Sequence, residues 1–187
     1  MPSPTKFSDI NLVTSVGGYF ANQLTAAGWA VYWQARGVFS GTATLGEVTI
    51  VPEFPAEQQN LVIGPKARIQ SEVIIPAFSV SVSMTPQEEI LAGLGQDLYV
   101  TVTEITIDGF VVNKAQHLAF STLFRNWFRK DTYIPIYDWE SNAVTPDLID
   151  DRNLYVRNRQ VEVIDSPNLP NPVRYYINMT AELVFYD

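Results

Sequence analysis

Apolar and polar residues alternate along several stretches of the chain, and each such stretch predicts a strand. Residues 78–84 place apolar side chains at every second position with serines between them, as in a strand with one buried face. Residues 98–108 predict a second strong strand, and Asp108-Gly109 then predicts a turn. Shorter strands are predicted at 29–33 and 47–51, and two long strands at 154–164 and 173–186.

Other stretches follow helical spacing. The first carries apolar residues three or four positions apart and runs from a cap at Ser8 or Asp9 to Gly28. A short helix is predicted from Thr85, with Pro86 in its first position and Gly93 at its end. A long helix begins at the cap Asn113, and its apolar stripe should pack on the sheet: Leu118, Phe120, Leu123, Phe124, Trp127 and Phe128.

The order of these elements predicts one α+β domain over residues 1–187, with a mostly antiparallel sheet and two main helices packed on one face. Residues 52–68 have three prolines and little periodicity, and we expect an extended loop or arm there. The last two strands form a long C-terminal hairpin with a proline-rich tip at residues 165–172. Residues 133–139 should be extended, and residues 142–151 should form an acidic loop.

Composition and charge narrow the classes of function. The 187 residues include no cysteine, which excludes disulfides, thiol nucleophiles and cysteine zinc sites. The net charge of −8 argues against a dedicated nucleic-acid binder, because phosphate binding needs a concentrated basic surface. No charge lies between Asp9 and Arg36, yet amides and glycines interrupt this stretch, so a membrane span is not expected. Such a stretch is typical of a covered protein interface or of an ordinary helix with a small polar face.

Catalytic chemistry has little support in the sequence. His117 is the only histidine and lies in the middle of a predicted helix, so a serine-type mechanism is not expected. The pairs Glu88-Glu89 and Asp150-Asp151 could hold a cation, but the spacing of an EF-hand loop is missing. Residues 93–95 lack the remainder of a dinucleotide fingerprint. We therefore expect no enzymatic activity, no cofactor and no metal site.

Two clusters have a possible binding role. Arg125, Arg129 and Lys130 fall near the end of the long helix, where cations complement the helix dipole and could also meet an acidic partner. The second cluster consists of aromatic residues that either form a platform for sugar rings or belong to the core. Its members are Trp29, Tyr32, Trp33 and Phe39.

Four strand sequences carry a resemblance to a known family. They are Ile-Pro-Ala-Phe-Ser-Val-Ser-Val at 75–82, Tyr-Val-Thr-Val-Thr at 99–103, Tyr-Ile-Pro-Ile-Tyr-Asp at 133–138 and Glu-Leu-Val-Phe-Tyr at 182–186. With the capped first helix and the long helix after the second of these strands, the chain resembles the tail terminator, or tail-completion, proteins in the neck of tailed bacteriophages. The resemblance extends over residues 8–187 and rests on the order of the elements and on these sequences.

The resemblance implies a structural virion protein that forms a ring at the head–tail interface. Six copies would cap the tail tube and join it to the connector, after assembly in the host cytoplasm. The implied partners are further copies of the chain, the tail tube protein and connector or stopper proteins, with DNA passing transiently and no membrane involved. An acidic ring would repel DNA in its lumen.

A ring needs two complementary patches on each subunit. We expect these patches to include the arm and the basic helix end, which contribute Glu53, Phe54, Leu61, Val62, Ile63, Arg125, Arg129 and Lys130. Two alternatives remain open: another neck component, such as a stopper or head-completion protein, and a carbohydrate-binding module.

Overall fold

The computed structural model describes residues 8–33, 48–51, 76–92, 97–111, 113–139, 147–150, 154–165 and 175–186. Helix α1 spans Asp9–Ala26 and helix α2 spans Lys114–Trp127. The strands are β1 (Val31–Trp33), β2 (Val48–Val51), β3 (Ala77–Ala92), β4 (Asp97–Val111), β5 (Ile136–Tyr137), β6 (Leu148–Asp150), β7 (Leu154–Asp165) and β8 (Tyr175–Tyr186).

Six of these strands form one sheet in the order β1-β2-β3-β4-β8-β7, and β5 pairs with β6. The β1-β2 and β2-β3 pairs are parallel, and the other pairs are antiparallel. The α+β class and the mostly antiparallel sheet are therefore confirmed. The predicted arm at 52–68 and residues 166–172 of the predicted hairpin tip lie outside the described residues.

Both helices begin where the sequence predicts a cap. The Ser8 hydroxyl accepts a hydrogen bond from the backbone N–H of Asn11 at 3.3 Å, and the Asn113 side-chain oxygen accepts one from Gln116 at 2.9 Å. These bonds satisfy backbone donors that have no partner within the helix. At the other end of α1, Gly28 has a φ of 91°, a left-handed conformation that glycine adopts without strain.

Both helices pack on the same face of the sheet. The fully buried Phe78 of β3 contacts Phe20 of α1 at a ring-centroid distance of 5.5 Å and Phe120 of α2 at 4.8 Å. Tyr19 of α1 also donates a hydrogen bond to the carbonyl of Trp127, at the end of α2, at 3.1 Å. We call this side of the sheet the helix face and the opposite side the outer face.

The polar residues of α1 hold a distant segment of the chain. Asn11 is fully buried, and its side-chain oxygen accepts a hydrogen bond from the backbone N–H of Trp139 at 2.7 Å. Ser15 accepts one from Tyr137 at 3.0 Å. The uncharged amide and hydroxyl side chains at these positions therefore bind the backbone of β5 and of the residues that follow it within the subunit.

The short helix predicted from Thr85 to Gly93 is wrong. Strand β3 continues through Ala92, paired with β4, with register shifts between Val82 and Met84 and between Met84 and Gln87. Pro86 lies in the second shift, where the regular ladder is already interrupted. The sequence signals of a helix start and of a bulged strand coincide here, and the long pairing with β4 decides the outcome.

Three smaller predictions also fail. Gly109 lies inside β4 rather than in a turn, and the position requires glycine because a Cβ atom there would overlap the ring of Phe78. Leu118 does not belong to the buried stripe of α2, since 53% of its surface is exposed. The acidic segment at 142–151 includes strand β6, which pairs with β5.

Two neighbouring glycines of α1 test the packing against β1. A Cβ atom on Gly17 would overlap the Trp33 ring, whereas one on Gly18 would lie 3.7 Å from Trp33 Nε1, an ordinary contact. We expect Gly17→Ala to lower the free energy of unfolding by about 1–3 kcal/mol through overpacking. Gly18→Ala should raise it by up to about 1 kcal/mol, as alanine does in helices. Urea denaturation measures both changes, and equal effects at the two positions would contradict the packing.

Candidate interaction surfaces

Besides the outer edge of the short strand β1, two strands of the described sheet, β3 and β7, have edges that are only partly paired. Strand β2 pairs with Ala77, Phe78 and Ser79 of β3, and no described strand pairs with the outer edge of β3 after that. Strand β7 ends the sheet on the other side. Unpaired N–H and C=O groups along such edges can bind a further strand.

The first turn of chain after α2 protects the beginning of β7. Val156 accepts a hydrogen bond from the N–H of Asp131 at 2.9 Å and donates one to Thr132 at 3.0 Å, and Ile134 donates one to Leu154 at 3.1 Å. Asp131 has a φ of 64°, which turns the chain toward the strand. Among the described residues, this protection ends at the register shift between Val156 and Asn158, so residues 158–165 form the open part of the edge.

A basic pocket surrounds the point where this protection ends. It has a volume of about 380 Å³, and its lining includes four of the 12 basic residues of the chain. Arg125 lies in the last turn of α2, and Lys130 follows that helix. The remaining lining residues all come from β7: Arg157, Asn158, Arg159 and Val161.

The structure thus brings together part of the predicted cluster at the helix end. Arg125 and Lys130 line the pocket, while the exposed Arg129 is not among the lining residues. Arg157 and Arg159 were missed by sequence reasoning, because only the register shift in β7 and its contact with α2 place them here. The predicted arm residues Glu53, Phe54, Leu61, Val62 and Ile63 lie outside the described residues.

The outer face of the sheet carries a group of carboxylates. Glu104 and Glu182 lie directly opposite each other on β4 and β8, and Asp108 lies opposite Asn178. Glu162 of β7 is opposite Asn178 on its other side. The outer face of β4, β8 and β7 therefore holds four acidic residues, which give it a negative potential.

Polar partners reduce the repulsion among these acids. Ser83 donates a hydrogen bond to Glu104 at 2.7 Å, and Arg157 forms an ion pair with Glu182. Tyr176 and Asn178 both donate to the same oxygen of Asp108, the latter at 2.8 Å. Burial and the hydrogen bond to Asp108 raise the pKa of Tyr176 to about 12. These contacts hold Glu104, Asp108 and Glu182 in position on the outer face.

The aromatic residues near β1 pack against the helices. Trp29 is partly buried and contacts Phe120 at a ring-centroid distance of 4.9 Å, and Trp33 lies against Gly17. Phe39 lies outside the described residues, as does the side chain of Tyr32. Trp29 and Trp33 therefore serve the core in the described part of the chain.

The single histidine packs against the sheet. The ring of His117 stacks on Tyr175 of β8 at 5.7 Å, and its Nδ1 is buried without a hydrogen-bond partner among the described residues. Burial, followed by the charge of Lys114, lowers the pKa of His117. The described residues contain no group of three histidine, aspartate or glutamate side chains that could hold a metal ion. None of the described helices is long and apolar enough to cross a membrane.

The Tyr176 hydroxyl provides a test of the outer-face network. Its folded pKa lies above the ordinary value of 10, so its contribution is complete below about pH 10 and is lost as the pH rises toward 12. Between about pH 9 and about pH 11.5, wild type should lose about 1 kcal/mol more stability than Tyr176→Phe, after allowance for solvent screening. Urea denaturation at each pH measures this difference, and parallel losses in both proteins would contradict the network.

Comparison of the sequence with protein families and with curated proteins identifies no relative of the chain. The sequence matches no protein-family model, and it matches none of the curated proteins searched. Function must therefore be argued from the surfaces themselves: two unlike strand edges, a basic pocket at one of them and an acidic sheet face.

Proposed function

We propose that this chain is a structural subunit of the neck of a tailed bacteriophage, where copies close into a ring that caps the tail tube and joins it to the connector. The chain resembles tail terminator proteins in the order of its elements, and one structural observation supports a ring. The antiparallel part of the sheet, β3-β4-β8-β7, has partly unpaired edges on opposite sides among the described residues.

Unlike edges on opposite sides suit cyclic assembly. When β7 of one copy pairs with β3 of the next, each copy contributes two different edges to its two neighbours. This is a head-to-tail interface, and it forms a closed ring when the rotation between neighbouring copies permits. Because β3, β4, β8 and β7 alternate in direction, the new β7-β3 pair is also antiparallel. The sheet can then continue from subunit to subunit with one kind of ladder.

The dimensions of such a ring agree with a conduit for DNA. Six copies would contribute about 24 strands, and at about 4.8 Å per strand the circumference is about 115 Å. The corresponding diameter is about 37 Å before strand tilt widens it. With both helices on the opposite face, the part of the outer face that carries the carboxylates would line the lumen, where these groups would repel DNA and keep contact transient.

The same geometry would serve a stopper or a head-completion protein, so the position within the neck is part of the proposal. Localisation in the virion neck and assembly in the host cytoplasm belong to the same proposal. The carbohydrate-binding alternative gains no specific support, because Trp29 and Trp33 are engaged in core packing.

The oligomeric state of the purified protein tests whether it forms a ring. Purified full-length chain should form a closed species of about 126 kDa, six times 21.0 kDa, either alone or after mixing with tail tube protein. Light scattering after size exclusion measures the mass, and negative-stain electron microscopy shows whether rings sit at the ends of tubes. A protein that stays monomeric at every concentration, leaves tubes uncapped and is retained on polysaccharide resin would overturn the proposal in favour of the sugar-binding alternative.

The charge of the lumen is testable separately. Glu162→Lys replaces one negative charge of the outer face by one positive charge in each subunit, and Glu162 is exposed, so the fold should tolerate the change. We expect DNA ejection from particles carrying this variant to slow at least about twofold, because the lumen would attract the phosphates. Asp147→Lys, an exposed acid beside β6, is the matched control. Equal ejection times for wild type and both variants would overturn the proposal that the outer face lines the lumen.

A further inference from the structure

The basic pocket at the edge of β7 holds positive charge that the described part of the subunit does not neutralise. Arg157 pairs with Glu182 on the outer face. No described acidic side chain lies within ion-pair distance of Arg125, Lys130 or Arg159. In a chain of net charge −8, three such cations around one pocket indicate a site for an acidic group from another molecule.

The position of the pocket favours an extended peptide segment over other anions. Its lining continues along β7 from Arg157 to Val161, where the backbone edge is open among the described residues. A peptide can pair with this edge through its backbone while its side chains enter the pocket. A phosphate group has no such second contact.

The matching acidic group lies on β3, at the other side of the antiparallel part of the sheet. Glu88 of β3 is exposed and belongs to the part of that strand beyond its pairing with β2. Glu88 lies opposite Thr101, which in turn lies opposite Phe185, a residue of the core under the helices. Glu88 is therefore on the helix face of the sheet.

Arg159 is on the same face. It lies opposite Ala181, which lies opposite Ile105, and both of these residues belong to the core under the helices. Side chains can meet across a new strand pair only when they share a face. Glu88 and Arg159 satisfy this condition.

The register of the pair is also compatible with both open edges. If Arg159 of one copy lies opposite Glu88 of the next in an antiparallel pair, residues 158–160 of β7 face residues 87–89 of β3, just after the second register shift of β3. Both stretches lie in the parts of the edges that the described residues leave open. The protected start of β7, at Leu154 and Val156, lies outside the new ladder.

We propose that the basic pocket receives Glu88 of a neighbouring copy, with Arg159 opposite it in the strand pair and Arg125 and Lys130 beside it. The pocket is then completed only by assembly, and it fixes the register at which β7 and β3 meet. This inference rests on the proposed ring, and it names the residues that hold the ring together.

Cysteine cross-linking tests the pairing directly, because the natural chain has no cysteine. The double variant Glu88→Cys with Arg159→Cys should form a ladder of disulfide-linked multimers on mild oxidation, ending at the closed ring. The control pair Glu88→Cys with Arg129→Cys uses a basic residue at the same helix end but outside the pocket, and it should give at least about tenfold less cross-linked product. Circular dichroism confirms that each variant is folded.

Charge exchange tests the energetic role. Glu88→Lys and Arg159→Glu should each weaken assembly at least about tenfold at low salt, and the double exchange should recover most of the loss. Arg129→Glu should leave assembly within about threefold of wild type. Analytical ultracentrifugation at several salt concentrations measures these changes.

The outcomes separate this inference from the proposed ring. The wild type could form rings while the Glu88→Cys, Arg159→Cys variant gives no specific cross-linked ladder, or while the double charge exchange does not restore assembly. Either result would overturn the pocket assignment and leave the proposed ring intact. Absence of both rings and cross-links would overturn both. Loss of the ladder on addition of a short DNA duplex at constant ionic strength would assign the pocket to phosphate and overturn the proposal.

Discussion

The fold depends on the attachment of both helices to one side of the sheet through a single aromatic cluster. Phe78 contacts a phenylalanine of each helix, and Phe124 and Phe128 continue the cluster at the end of α2 with rings 4.5 Å apart. Each of these rings is fully buried, and removal of a buried phenylalanine typically costs about 3–5 kcal/mol. Because this cluster gathers most of the apolar surface on one face, the other face can carry serines, threonines and carboxylates beside a small buried cluster of Val100, Val102 and Val184.

The sequence predicted the elements that depend on local signals. The caps at Ser8 and Asn113 and the alternation after Phe78 are visible in short windows, and all three are confirmed. The helix predicted from Thr85 failed because its signals are local too, whereas the pairing of residues 87–92 with β4 is a property of the whole sheet. Gly109 failed for a similar reason, since only the position of Phe78 explains a glycine within a strand.

The same division applies to the surfaces. Arg125 and Lys130 could be singled out because cations at a helix end are recognisable in sequence. Arg157 and Arg159 could not, since their place in the pocket depends on a register shift and on the chain that covers the start of β7. The acidic face was also invisible, because Asp108, Glu162 and Glu182 are far apart along the chain and share a face only through the order of the strands. An acidic protein can thus keep a concentrated basic site, provided that distant segments bring its cations together.

The central position of β8 sets a condition on biosynthesis. This strand comes last among the described elements, yet it lies between β4 and β7 and pairs with both along nearly its whole length. A nascent chain on the ribosome therefore cannot join the two halves of the sheet until residues 175–186 have emerged. Truncated translation products that end before these residues lack the strand that joins β7 to the rest of the sheet.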